Sequence, residues 1–388
     1  MQHTTYDWRS IAALNAVSTF AQVGQFGIPF VVLPLWLEQQ GATALQLSLY
    51  AASLWLGQLP GLGVAPRLTR QFGARPTILA ALLCSILALA AIALGISALW
   101  LPAGLLAGFG QGLRWIGLEP WLYHIAPSHA RGRLVGFHET LIALAPIVAP
   151  AMSGWWGIEG LAPLWLGMGF LLMAALPLLW AHEERASTSN TSAQPPAATP
   201  FWQLPREKIF LLGLGVALFG GMSESAFIGL FPVFGTAQQL DAAQIASLLA
   251  SFGLGGLLMQ YVAGWLADHR GMAFASLCCC IGTAVVALAL TYALGPLLLH
   301  AAVFCLGGLV TAYLTLVLIA SAKTQGGSMA RNMSAVSMVY TLSAVVGPLA
   351  AAAAMHAVGG NGLMWVMAGF ALLMAVYVAR VTSGQRLT

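Results

Sequence analysis

Long apolar runs, separated by short polar or Gly/Pro-bearing breaks, recur from one end of the chain to the other. They fall near 10–36, 45–66, 77–98, 100–124, 134–156, 161–181, 208–233, 242–267, 273–295, 297–320, 334–357 and 361–380. A helix that crosses a bilayer needs about 20 predominantly apolar residues, and each run meets that length. The pattern predicts an all-α integral membrane protein with twelve transmembrane helices. The one long polar stretch, residues 182–207 (HEERASTSNTSAQPPAATPFWQLPRE), is too poor in apolar side chains to build a core. It reads as a linker dividing the chain six spans against six: a bundle over 1–181, the linker 182–207 and a bundle over 208–388.

Composition narrows the class. Apolar residues make up 59% of the 388 and charged residues only 7%, where soluble domains carry about 25% charged. That excludes a soluble enzyme, a nucleic-acid binder and a disulfide scaffold. The charges are also placed unevenly. With the N-terminus inside, the cytoplasmic segments collect every Lys and Arg except Arg114, and the outer loops carry none. This is the positive-inside rule. It puts both termini in the cytoplasm and accounts for the net charge of +4 without an anionic partner. Trp8, Trp36, Trp100, Trp155, Trp156, Trp180, Trp202 and Trp265 stand near span ends, where an amphipathic ring suits the headgroup boundary. No small-residue cleavage site follows the first run, so it is expected to be a retained helix. The five cysteines all fall within spans. Cys278, Cys279 and Cys280 point about 100° apart on a helix, so they form no metal site.

The two halves are repeats. At an offset of 198 residues, 44–73 aligns with 242–271 without a gap and with eleven identities, Gly57/Gly255 and Gly73/Gly271 among them. The same offset pairs Pro34 with Pro232, Arg133 with Arg331, and Pro150 with Pro348. Parallel repeats of this kind place a substrate site near the midplane, reached alternately from each side.

Four ionisable residues sit deep in apolar spans: Arg114 and Glu119 in span four, Glu139 in span five and Glu224 in span seven. Each costs about 2.5–3.5 kcal/mol even on the lenient insertion scale, which makes it a functional candidate. Five residues separate Arg114 from Glu119, so a helix turns them toward different faces. Either Glu119 or Glu139 is expected to neighbour Arg114. Three carboxylates against one guanidinium leave excess negative charge, and burial favours the protonated form of at least one. His138, beside Glu139, is a candidate proton relay, and Trp115, beside Arg114, a candidate aromatic wall.

Gly264-Trp265-Leu266-Ala267-Asp268-His269-Arg270-Gly271, between spans eight and nine, resembles the G-x-L-A-D-x-x-G signature of the major facilitator superfamily. Gly108-x-Gly110 followed by Trp115 and Glu119, then Arg131-Gly132-Arg133, is similar to its YcaD-like bacterial branch. The resemblance covers the whole chain and implies two six-helix bundles, with spans one, four, seven and ten lining the cavity. That favours Arg114, Glu119 and Glu224 as cavity groups. It also implies a gate in which Asp268 docks at the start of span five, near Arg131 or Arg133, with Gly264, Arg270 and Gly271 completing the signature. The first half departs from the pattern. Pro66 and Arg70 replace the signature Gly and Asp, so Arg70 approaches Arg331 repulsively. Gly104 stands where the family often has an Arg in span four, a role that Arg114 is expected to fill. Span five, with Gly136, Pro146, Pro150 and Gly154, resembles the antiporter helix of the family with small residues in place of glycines; Pro348 is its counterpart in span eleven.

These readings converge on a secondary transporter of the bacterial inner membrane, not an enzyme. It is expected to work by alternating access as a proton-coupled exporter of a small cationic or amphipathic compound. The alternatives are proton-coupled movement of a small carboxylate, or a non-transporting receptor or scaffold of the same fold. The expected partners are a small-molecule substrate, protons and the lipid bilayer, with no nucleic acid, no cofactor and no metal, and a monomeric assembly.

Overall fold

The computed structural model describes residues 7–42, 44–127, 130–156, 159–182, 205–240, 242–292 and 294–382. Helices account for nearly all of it: α1 (Trp8–Gln22), a π-helical stretch (Val23–Val32), α2 (Leu33–Gln39), α3 (Ala44–Phe72), α4 (Ala74–Ala93), α5 (Trp100–Ile125), α6 (Arg131–Ile142), α7 (Ala145–Trp156), α8 (Ala162–Ala175), α9 (Lys208–Ala237), α10 (Ala242–His269), α11 (Met272–Ala289), α12 (Pro296–Lys323), α13 (Met329–Val358) and α14 (Gly362–Thr382). Among the described residues, nine helical stretches are long and apolar enough to cross a membrane. The other three apolar runs are helical as well: 10–36 within α1, the π stretch and α2; 45–66 within α3; and 100–124 within α5.

Two runs are less regular than their apolar pattern suggests. The first widens into π-helix over ten residues around Pro29, which has no N–H to give the ladder. Gly24 and Gly27 let this stretch lie close to its neighbours. A Cβ on Gly24 would come within 2.7 Å of Leu171 Cγ, and one on Gly27 within 2.7 Å of the Ala145 carbonyl oxygen. The fifth run breaks at residues 143–144 into α6 and α7. Pro146 leaves the Ile142 carbonyl without its helical donor, and the chain crosses the gap with the tighter bonds Leu144 N to Leu141 O and Ile147 N to Leu144 O.

The chain forms two compact units. One comprises Met1–Pro127, Leu141–Leu204 and Gly327–Ser334; the other comprises Ser128–Thr140, Pro205–Gly326 and Ala335–Thr388. Each unit contains the same glycine-mediated crossing. In the first, Gly57 of α3 lies against the Leu105 carbonyl of α5, and Gly108 of α5 against the Leu54 carbonyl of α3. In the second, Gly255 of α10 lies against the Phe304 carbonyl of α12, and Gly307 of α12 against the Phe252 carbonyl of α10. Gly57 and Leu54 become Gly255 and Phe252 at the 198-residue offset, so the repeat read in the sequence is also a repeat of packing. Apolar helices have no hydrophobic drive to associate in lipid, and small residues that allow backbone approach supply the contact instead. The core of the second unit is aromatic, with Phe227 stacked on Phe252 at 4.2 Å between ring centroids and on Phe231 at 4.5 Å.

Candidate functional site

In the first unit the polar centre is Arg114, whose side chain is 0% exposed. A buried guanidinium needs its donors satisfied, and the first span supplies the acceptors. Arg114 Nε donates to Gln25 Oε1 at 2.6 Å, one terminal nitrogen to Ser18 Oγ at 2.9 Å, and the other to Gln22 Oε1. Gln25 is fixed in turn, its amide nitrogen donating to Ser85 Oγ of α4 at 2.8 Å. Glu119 approaches Arg114 at 4.0 Å, with both side chains fully buried. Of the two carboxylates expected as neighbours of Arg114, Glu119 is one: the residues leave the helix in different directions, and their long side chains reach across the five-residue separation to an ion pair. Trp115 is buried, its ring centroid 5.8 Å from the guanidinium carbon.

The second unit holds a different centre. Glu224, half-buried on α9, accepts a hydrogen bond at Oε2 from the Tyr340 hydroxyl of α13. The preceding glycines make room for that contact. A Cβ on Gly220 would lie 3.2 Å from Tyr340 Cε2 and 2.6 Å from Tyr313 Cβ, while Gly221 faces the Tyr340 carbonyl and Ser343 Oγ. His138 and Glu139 are buried on α6. Their helix is seated on α10, where Gly136 faces the Gln260 carbonyl and Thr140 Oγ1 donates to Leu257 O at 3.1 Å.

The signature residues gather at the end of α10. Asp268 accepts the backbone N–H groups of Gly132 at 3.0 Å and Arg133 at 2.9 Å, and pairs with Lys323 Nζ at 3.0 Å. It caps the N-terminus of α6 where the helix dipole favours negative charge. It meets Arg133 through the main chain. Arg131 instead donates from its guanidinium to the Ala322 carbonyl near the end of α12, at 3.1 Å. Gly264 packs on the Gly132 carbonyl, and Gly271 (φ +86°) starts α11 in a conformation suited to glycine. The Arg270 guanidinium lies 5.8 Å from the Phe274 ring centroid. Arg70 ends α3, exposed, and Arg331 sits in the first turn of α13 with its N–H directed to Ser328 Oγ at 3.3 Å. The loop before α13 takes its carboxylate from elsewhere: Glu207 accepts from Gln325 N at 3.0 Å and from Gly326 N. Pro146, Pro150 and Gly154 lie in α7, and Pro348 in α13.

Sequence reading missed Ser18, Gln22, Gln25, Tyr340 and Glu207. A signal existed for the first three. Asn15, Ser18, Gln22 and Gln25 recur at spacings of three and four in an apolar run, which puts a polar stripe on one helix face. Tyr340 has no such signal, because a tyrosine among apolar residues is ordinary.

A family model described as Major Facilitator Superfamily matches residues 16–330 and again 216–386. An uncharacterized MFS-type transporter of Yersinia pestis (strain Pestoides F) is 25% identical over 360 residues, covering 92% of this chain and 91% of its own. The MFS-type transporter YcaD of Salmonella heidelberg is 24% identical over 353 residues, covering 90% of each chain. Among solved structures, a bacterial homologue of the iron transporter ferroportin in an outward-facing state aligns with a TM-score of 0.79 at 14% identity, over 96% of this chain and 99% of that one. The Escherichia coli fucose:proton symporter FucP aligns with a TM-score of 0.79 at 13% identity, over 97% and 98%. At these identities the structural likeness speaks for the fold.

Proposed function

This chain belongs to the Major Facilitator Superfamily and is a multi-pass membrane transporter, not an enzyme; we propose that it exports a small cationic or amphipathic organic compound in exchange for protons. In this reading the twelve apolar runs are twelve membrane helices of the bacterial inner membrane with both termini cytoplasmic, and the protein works as a monomer. Glu224 carries the proposal. It is a half-buried carboxylate in an apolar helix whose hydrogen-bond partner, Tyr340, is neutral. A carboxylate so placed binds either a proton or a cation, and that competition is what exchange requires. Glu119 differs, because the Arg114 guanidinium at 4.0 Å already balances its charge.

Arg114 is sealed behind Gln22, Gln25, Ser18 and Glu119, which favours a cationic substrate over a carboxylate seeking that guanidinium. The proline-bearing fifth span supports exchange over co-transport by its likeness to antiporter helices. The Asp268 cap on α6, with Lys323 beside it, supports the gate reading for that corner.

The test uses proteoliposomes containing the full chain, an internal pH dye and an imposed pH gradient. Organic cations such as ethidium and tetraphenylphosphonium serve as probes. A cation that is a substrate discharges the gradient through the wild type and fails to do so through Glu224→Gln. Discharge through Glu224→Gln equal to wild type, or no proton movement with any cation of the panel, overturns the proposal.

A further inference from the structure

Two of the stretches long and apolar enough to cross a membrane, Ser247–His269 of α10 and Met272–Ala289 of α11, are joined by Arg270 and Gly271 alone. Two residues span at most about 7 Å, roughly the depth of the headgroup layer on one side of a bilayer. Arg270 is therefore held at the level of the phospholipid phosphates. The end of α10 has two distinct faces. Gly264 and Asp268 face α6, whereas Trp265 and His269, each one residue on, lie about 100° around the axis and are exposed. Their rings stack at 4.4 Å between centroids, and His269 Nδ1 donates to the Trp265 carbonyl at 2.9 Å. Arg270 is pinned as well, its guanidinium carbon 5.8 Å from the ring centroid of Phe274 on α11. Trp265 is 43% exposed and Phe274 37%.

A ring against the face of a guanidinium leaves its N–H edge open to an acceptor. Asp268, the carboxylate two residues away, is taken up by Gly132, Arg133 and Lys323. Among the described residues no carboxylate pairs with Arg270. His269 has spent Nδ1 on a carbonyl, which leaves Nε2 as an acceptor at the same level. The repeat does not impose this arrangement. At the 198-residue offset Trp265, His269, Arg270 and Phe274 become Arg67, Gln71, Phe72 and Pro76, so neither ring pair is reproduced at the matching end of α3. We propose that Arg270 and His269 bind the headgroup of an anionic phospholipid of the phosphatidylglycerol type. The phosphate lies on the N–H edge of Arg270, whose planar fork matches two phosphate oxygens. A glycerol hydroxyl of the headgroup donates to His269 Nε2. Trp265 and Phe274 line the start of the acyl chains, the depth at which such rings are favoured. The site is separate from the transport reading and holds whatever compound is moved.

Native mass spectrometry of the purified full chain, titrated in micelles with dioleoyl phosphatidylglycerol or dioleoyl phosphatidylcholine, counts the lipids retained. The wild type is expected to hold phosphatidylglycerol the more tightly, and Arg270→Ala to weaken that binding roughly 5- to 10-fold. Phe274→Leu leaves every charge in place and frees the guanidinium; a loss of roughly 2- to 5-fold is expected. His269→Phe keeps the stacked ring, removes the acceptor and is expected to cost about as much. Arg67→Ala, at the matching place in the first half, is expected to change nothing. All four positions are exposed, so the packed core is untouched. Equal losses from Arg67→Ala and Arg270→Ala, or wild-type affinity in Phe274→Leu, would mean diffuse attraction to basic residues and overturn the site. Glycerol 3-phosphate carries the headgroup chemistry without acyl chains and is expected not to displace the lipid at equal concentration. If it does, the occupant is a free anion and the lipid proposal falls.

Discussion

Arg114 and Glu119 set the energetics at the scale of single residues. Each charge is affordable inside the bundle only because the other, and the three neutral oxygens from the first span, remain in place. Truncating one partner strands the other, which costs about 3–5 kcal/mol at buried pairs. Arg114→Ala is therefore expected to lower unfolding stability by that amount in detergent denaturation, while Arg114→Met combined with Glu119→Leu recovers most of it. Equal losses from the single and double variants would mean that the packing volume of Arg114, not its charge, matters. These residues also show what a sequence discloses. Arg114, Glu119 and Glu224 are conspicuous because charge in an apolar run is expensive. Gln22, Gln25 and Tyr340 are not, since a neutral polar side chain costs little until its neighbours are known. Which of Glu119 and Glu139 would meet Arg114 stayed open for another reason: helical angle fixes the directions of the Cα–Cβ bonds and leaves the reach of long side chains undecided.

Close approach and capping govern the elements. Gly57 and Gly255 occupy equivalent places in the two glycine crossings, each against a carbonyl oxygen where a methyl group has no room. Gly57→Ala and Gly255→Ala should each cost about 1–3 kcal/mol, the usual penalty for overpacking, read as a lowered Tm. Asp268→Asn removes the ion pair with Lys323 and weakens the cap on α6, so hydrogen exchange should quicken at the amides of Gly132 and Arg133 but not in α12. The start of α1 is held by another carboxylate. Asp7 accepts from the Ser10 hydroxyl and, at 3.0 Å, from its N–H, and these bonds keep its pKa below the ordinary 3.8. Because the folded value is the lower one, the cap contributes fully above about pH 4 and is lost as pH falls through the folded value. Exchange at the Ser10 amide should quicken only below that range. Helix positions were legible from apolarity, whereas the π-helical stretch was not. Pro29 marked an interruption, but its form depends on how Gly24 and Gly27 pack on Leu171 and Ala145.

At the scale of the whole molecule, the superfamily was legible from the Gly264–Gly271 signature and the repeat of the two halves before any contact was known. The composition of the two units was not legible. Residues 128–140 belong with the second unit, and 327–334 with the first. Apolar patterning identifies a span without saying which neighbours its end will touch. In the first unit Ser334 Oγ donates to the Leu62 carbonyl of α3 at 2.6 Å, and in the second Gly136 rests on Gln260 at the equivalent place on α10.

That exchange of short segments has a bearing on how the protein is made. A ribosome that has released only residues 1–181 has produced a unit lacking its 327–334 piece. A polypeptide of 208–388 synthesised alone lacks the stretch that covers Gln260, Gly264 and Asp268. Each fragment produced separately should be degraded quickly, and the two produced together should protect one another and co-purify. Maturation would then finish only once the chain has been translated past residue 334, so truncations before that point should be cleared as quality-control substrates.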